Sequence, residues 1–142
     1  MKIKCIDNTG INIPKEFFEL SGYSEKMIFE ALSLDKLYMV YAVFTLKNSR
    51  CFLICNDFYD GASYNYPMFY PSSLFKIIDN KVSKYWINKE DKNNFQTGKD
   101  NDLGFPNIIN EEYFYGKLVE GYDREESIFY NYKNLIDEET LK

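Results

Sequence analysis

Leu37-Tyr38-Met39-Val40-Tyr41-Ala42-Val43-Phe44-Thr45-Leu46, then Lys47-Asn48-Ser49, then Arg50-Cys51-Phe52-Leu53-Ile54-Cys55-Asn56, is the stretch on which the fold turns. The first run is rich in β-branched and aromatic residues and too uniformly apolar for a surface helix, so it reads as a long strand. Lys47-Asn48-Ser49 is a turn signal, and the second run returns to make a hairpin. Cys51 and Cys55 share one face of that return strand and read as small buried hydrophobes, not as a metal or redox pair. Outward from the hairpin, Lys2–Asp7 is a strand with Ile3 and Cys5 on one face. Phe69–Asp79 places an apolar pair before a Pro71-Ser72-Ser73 turn and a short strand after it. Val82–Ile87, which holds Trp86, is the last strand. The interval from Ile11 to Leu34 reads either as helix or as extended chain; the favoured reading has Pro14 open a short helix over Lys15–Leu20, followed by extended chain. Short antiparallel strands with little helix between them predict a small curved antiparallel sheet or barrel.

Asn88 to Gly104 carries almost no apolar side chains and reads as a polar connector that Phe105 anchors back onto the body. Two helices follow. Asn110 caps a helix over Glu111–Glu120, with Phe114 and Leu118, and Tyr115 and Val119, as i, i+4 pairs, and Gly121 ends it. Asp123, with Glu126 three residues on, opens the second, whose buried face is Ile128, Phe129, Tyr132, Leu135 and Ile136. The fold class is α+β: one domain over 1–142, with a strand-rich body (1–87), a connector (88–104) and an acidic helical region (105–142).

Charge is split along the chain. Residues 1–97 hold twelve Lys/Arg and eleven Asp/Glu, whereas residues 98–142 hold five and eleven. An acidic helical region on a near-neutral aromatic body suits a basic protein partner and opposes nucleic acid or an anionic membrane. Aromatic residues make up 18% of the chain, enough to fill a core and leave rings for contact. There is no apolar stretch of signal-peptide or membrane-spanning length, and three irregularly spaced cysteines make no disulfide framework, so the cytoplasm is the expected compartment. Histidine is absent, which removes the commonest general base and transition-metal ligand. No phosphate-cradling glycine loop and no C-x-x-C occurs. No catalytic, cofactor or metal residue is therefore assigned, and a non-enzyme is expected.

Asp57 and Asp60, three apart before Gly61, suit an acidic hairpin end better than a calcium loop, whose further oxygen ligands are missing. Glu111-Glu112 and Glu125-Glu126 fall in helix first turns, where the dipole favours them without any function, and partner contact is the second reading. The densest aromatic patch is the loop Tyr59–Tyr70. It either folds onto the body or forms a recognition surface. Base stacking needs a basic groove beside the rings, and the nearest cations are only Arg50 and Lys76.

Lys4-Cys5-Ile6-Asp7, Lys36-Leu37-Tyr38-Met39-Val40-Tyr41, Phe52-Leu53-Ile54-Cys55-Asn56-Asp57, Tyr70-Pro71-Ser72-Ser73-Leu74-Phe75 and Ser83-Lys84-Tyr85-Trp86 occur in that order. The stretch 1–87 resembles small bacterial proteins with an SH3-like barrel, except that Asp35 stands where their pattern usually has glycine. With its acidic helical tail, the whole resembles immunity proteins of bacterial toxin systems, including contact-dependent growth inhibition. That resemblance implies a protein that binds and neutralises a cognate toxin domain in the cytoplasm, the toxin being basic and a nuclease being one such case. Asp57, Asp60, Glu111, Glu112, Asp123, Glu125 and Glu126 are the expected charge contacts, and Tyr64, Tyr66 and Tyr115 the aromatic anchors. A peptide- or protein-binding adaptor without a toxin partner is the alternative, and an enzyme using carboxylates and tyrosine is a more distant one.

Overall fold

Eight strands among the described residues build two antiparallel sheets. They are β1 (Lys2–Cys5), β2 (Leu37–Met39), β3 (Ala42–Leu46), β4 (Ser49–Asp60), β5 (Tyr64–Pro71), β6 (Phe75–Asp79), β7 (Ile87–Asn88) and β8 (Leu103–Gly104). One sheet has the order β2-β1-β6, the other β5-β4-β3-β8-β7. Helices α1 (Pro106–Asn110), α2 (Phe114–Val119) and α3 (Asp123–Glu139) follow. The computed structural model describes residues 1–15, 24–46, 49–60, 64–88 and 102–139. Most of the helix expected over Lys15–Leu20, most of the connector, and Lys47 and Asn48 of the hairpin turn lie outside them. The α+β class, with antiparallel sheet before C-terminal helices, stands.

The expected hairpin is β3–β4, with Thr45 opposite Arg50 and Phe44 opposite Cys51; Ser49, read as part of the turn, already pairs with Leu46. The long first strand does not stay whole. It leaves the small sheet after Met39 and enters the large one at Ala42. At the corner the Val40 N–H still donates to Met1 O (3.0 Å), while the Tyr41 N–H already donates to Leu53 O (2.8 Å). A strand that bends from one sheet into the next is how such corners are made. Both corner residues are buried.

Cys51 to Asn56 of β4 is buried on both faces, which explains why this part of its sequence shows no alternation. Phe52 meets Phe75 of the small sheet edge-on (6.1 Å between ring centroids), and Tyr70, opposite Phe52, meets Phe29 (5.9 Å). On the other face, Phe69, opposite Leu53, packs on Tyr115 of α2 (4.8 Å). The large sheet therefore lies between the small sheet and the helices.

Four expectations need correction. The aromatic stretch ending at Tyr70 is not a loop: from Tyr64 it is strand β5, paired along β4. Val82–Ile87 is not a strand. The Ser83 hydroxyl and the Lys84 N–H donate to Glu139 of α3 (2.7 and 2.9 Å), which ties this segment to the helix layer, and only Ile87–Asn88 pairs in the sheet. The connector's last residues, Leu103–Gly104, are strand β8 between β3 and β7. The helix expected over Glu111–Glu120 begins only at Phe114. Pro106 starts an earlier helix that takes in Asn110, the expected cap, and Glu111 follows it extended (φ −98°, ψ 114°), so Glu111 and Glu112 do not lie in a helix first turn.

The α2–α3 boundary follows expectation. Gly121 has φ +84°, its N–H donates to Leu118 O and the Tyr122 N–H to Lys117 O, a Schellman ending. Asp35 also adopts a positive φ, +66°. The position that resembled a glycine site demands the left-handed conformation, and aspartate is among the few side chains that tolerate it.

Candidate partner-binding surface

Five of the ten expected contact residues are occupied inside the protein. Asp57 accepts from the Lys36 ammonium, from Ser33 Oγ at 2.6 Å and from the Tyr38 hydroxyl at 3.1 Å, while its N–H donates to Ala31 O. It pins residues 31–38 onto β4. Tyr66 donates its hydroxyl to Val119 O at the end of α2. The Tyr115 hydroxyl accepts from the Phe69 N–H at 3.2 Å. Both tyrosines clamp α2 to β5 and are not free anchors. Glu125 is buried in the first turn of α3, where Arg124 donates to it at 2.6 Å.

Glu111 is held by the same arginine at two points, 2.8 and 3.1 Å, and by Asn107 Nδ2 at 2.6 Å. These bonds hold its carboxyl below the ordinary value. The side chains of Asp60 and Tyr64 lie outside the described part of the structure.

Asp57 carries a pH prediction. Burial pushes its carboxyl up, but hydrogen bonds from Lys36, Ser33 and Tyr38 outweigh that and leave it below the ordinary 3.8. A folded-state pKa below the unfolded one adds stability above the unfolded value, and that stability is lost as pH falls through the folded pKa. Thermal melts taken at decreasing pH should therefore fall more steeply for the unmodified chain than for Asp57→Asn. Superimposable acid limbs would show that the carboxylate adds nothing.

The remaining three residues, Glu112, Asp123 and Glu126, gather around one corner. Arg124 ties the end of α1 to the start of α3, and α2 fills the space between. No side-chain hydrogen bond or ion pair among the described residues reaches Glu112, Glu120, Asp123 or Glu126. Two residues that the sequence reading did not single out complete the corner. Tyr113, just before α2, is 68% exposed, and Tyr122, between α2 and α3, is 51% exposed. No local signal in the sequence marked them out, since Ile109 and Leu118 stand four residues before them as apolar partners would before a buried ring. From Glu111 to Glu126 the chain carries six acids against Lys117 and Arg124.

Among the described residues no group of three or more His, Cys, Asp or Glu could hold a metal ion. Burial pushes the Cys51 and Cys55 thiols up to about 12, so both stay protonated within the core. No helix among the described residues is long and apolar enough to cross a membrane. No family model, curated protein or solved structure matches this chain.

Proposed function

We propose that the chain is an immunity protein, which captures a basic toxin domain in the cytoplasm through the helix corner and neutralises it stoichiometrically without turnover. The observation that carries this reading is the pairing of two exposed tyrosines, Tyr113 and Tyr122, with carboxylates that have no partner among the described residues. Tyrosine gives a rigid, amphipathic contact at low entropic cost, and such rings are enriched among residues that dominate binding. Unpaired acids around them steer a cationic partner and speed its capture. Toxins that act on nucleic acid are cationic around their sites, so an acidic inhibitor covers the surface that the substrate would use.

The test is co-expression with the neighbouring reading frame, under conditions where that neighbour alone arrests growth. Growth should be restored and a one-to-one complex recovered. Truncating Tyr113 and Tyr122 to alanine should then speed dissociation, each costing about 2 kcal/mol if it is a central anchor. Neutralising Glu112, Asp123 and Glu126 should instead slow association and flatten its salt dependence. Failure of rescue, or a complex indifferent to both sets of changes, would refute the reading.

A further inference from the structure

The small sheet presents the opposite charge on its outward face. Strand alternation turns Lys2 and Lys4 away from the buried Ile3 and Cys5. Lys4 of β1 stands directly opposite Lys76 of β6. Like charges opposed across a sheet destabilise it, and the nearest relief is Asp35, 3.9 Å from Lys4 and itself largely exposed. Beyond the end of β6 a groove of about 470 Å³ opens, with Lys2, Lys81 and Lys84 around it and Met39, Val82 and Ile136 as apolar walls. Its two carboxylates are engaged by backbone and hydroxyl donors: Asp79 accepts from the Lys81 N–H (2.9 Å), and Glu139 accepts from Ser83 Oγ and the Lys84 N–H. Lys84 lies over the Tyr85 ring. Among the described residues Lys2, Lys76, Lys81 and Lys84 make no ion pair.

β6 is also the edge of its sheet. Four of its five residues are exposed, including Ile77 (40%) and Ile78 (50%), and a register shift makes Ile78 the extra residue between the Ile77 and Asp79 pairs. Lysine on an edge strand repels a like-charged edge, including the same edge of a second copy. The same charge admits an acidic strand.

We propose that β6 and the adjoining groove dock an extended acidic segment of a partner polypeptide. The segment adds a strand to the free edge of β6, with its carboxylates toward Lys4, Lys76 and the groove lysines. Main-chain pairing supplies the binding and the lysines select the sequence. This surface is separate from the helix corner, and its proposal does not depend on the corner's role.

The probe is a short fluorescent peptide of alternating valine and glutamate, followed by anisotropy on the full chain. Binding should weaken at least roughly tenfold in Lys76→Glu, the size of one lost charge contact. The melting temperature of that variant should hold or rise, because the substituted position then attracts Lys4. A peptide of the same sequence with alternate N-methylated amides should bind much more weakly. Equal binding of the N-methylated peptide would overturn the strand pairing. So would no binding at about 1 mM peptide. A DNA oligonucleotide or anionic vesicle bound as tightly as the peptide would show a general anion surface instead. Self-association abolished by Lys76→Glu would make a second copy the occupant.

Discussion

Phe105→Ala is expected to destabilise the chain by about 3–5 kcal/mol, a large share of the roughly 5–15 kcal/mol that holds a domain together. Phe105 is fully buried and contacts rings of both later helices. Its ring stacks on Tyr132 at 4.9 Å and 17°, meets Phe114 edge-on at 5.5 Å and lies 6.2 Å from Phe129. It is also the residue before Pro106, so it fixes where α1 begins. Gly104 beside it lets α1 close down on β3: a Cβ there would stand 2.8 Å from Ile108 Cγ2 and 3.0 Å from Ala42 Cβ. Removing the ring empties the junction of the three helices with β8 of the large sheet. Trp86→Ala belongs in the same class, since Trp86 is buried in the same core. Trp86→Phe should cost much less, because the Trp86 Nε1 has no hydrogen-bond partner among the described residues to lose. A thermal melt of Phe105→Ala that overlays the unmodified chain would remove Phe105 from this role.

Much of this arrangement was legible in the residues, for reasons that also mark where legibility ended. The β3–β4 hairpin and Gly121 are local decisions, set by a turn and a φ value. Helix α3 starts at Asp123 as read, but without the expected capping box: the Glu126 N–H donates to Tyr122 O, and no side-chain cap hydrogen bond from Asp123 or Glu126 occurs among the described residues. Phe105 was readable because an apolar ring stands alone between polar chain and a proline. The corner at Val40–Tyr41 was not readable. Leu37 to Leu46 is apolar almost throughout, so no change of alternation marks the place where the strand changes sheets. The break at Glu111 was hidden in the same way, since it depends on Asn107 and on Arg124, thirteen residues on. The tyrosines show the limit most clearly. Tyr66 and Tyr115 turn inward because their hydroxyls find backbone partners 53 and 46 residues away. Tyr113 and Tyr122 stay outside, in junctions where no such partner is within reach. Nothing in the local sequence distinguishes the two pairs.

Asn56→Leu should cost about 2–4 kcal/mol, even though leucine fits the volume and adds apolar surface to a fully buried site. Asn56 lies where β4 gains residues over β5: Cys55 pairs with Pro67, but the next pair is Tyr59 with Asn65. A bulge of this kind leaves backbone groups without ladder partners. The asparagine side chain supplies one of them, its Oδ1 accepting from the Phe58 N–H at 3.0 Å. Its Nδ2 donates to the Tyr70 hydroxyl at 2.8 Å, inside the core. The next residue, Asp57, turns its own N–H to Ala31 and its carboxylate to Lys36, Ser33 and Tyr38. The bulge therefore aims Asp57 at the 31–38 segment instead of at solvent. Leucine would take away the partner of the Phe58 N–H and leave the Tyr70 hydroxyl only its weak bond to Met68 Sδ at 3.7 Å, the loss of a partner costing about 1–3 kcal/mol where the group is buried. Replacing both partners, in Asn56→Leu with Tyr70→Phe, should recover part of the loss, because no hydroxyl then remains to be satisfied. The comparison separates the two possible origins of the effect. If the double variant is as unstable as the single one, the cost lies in the bulge backbone at Phe58. If the single variant melts like the unmodified chain, the bulge is held by the Asp57 contacts alone.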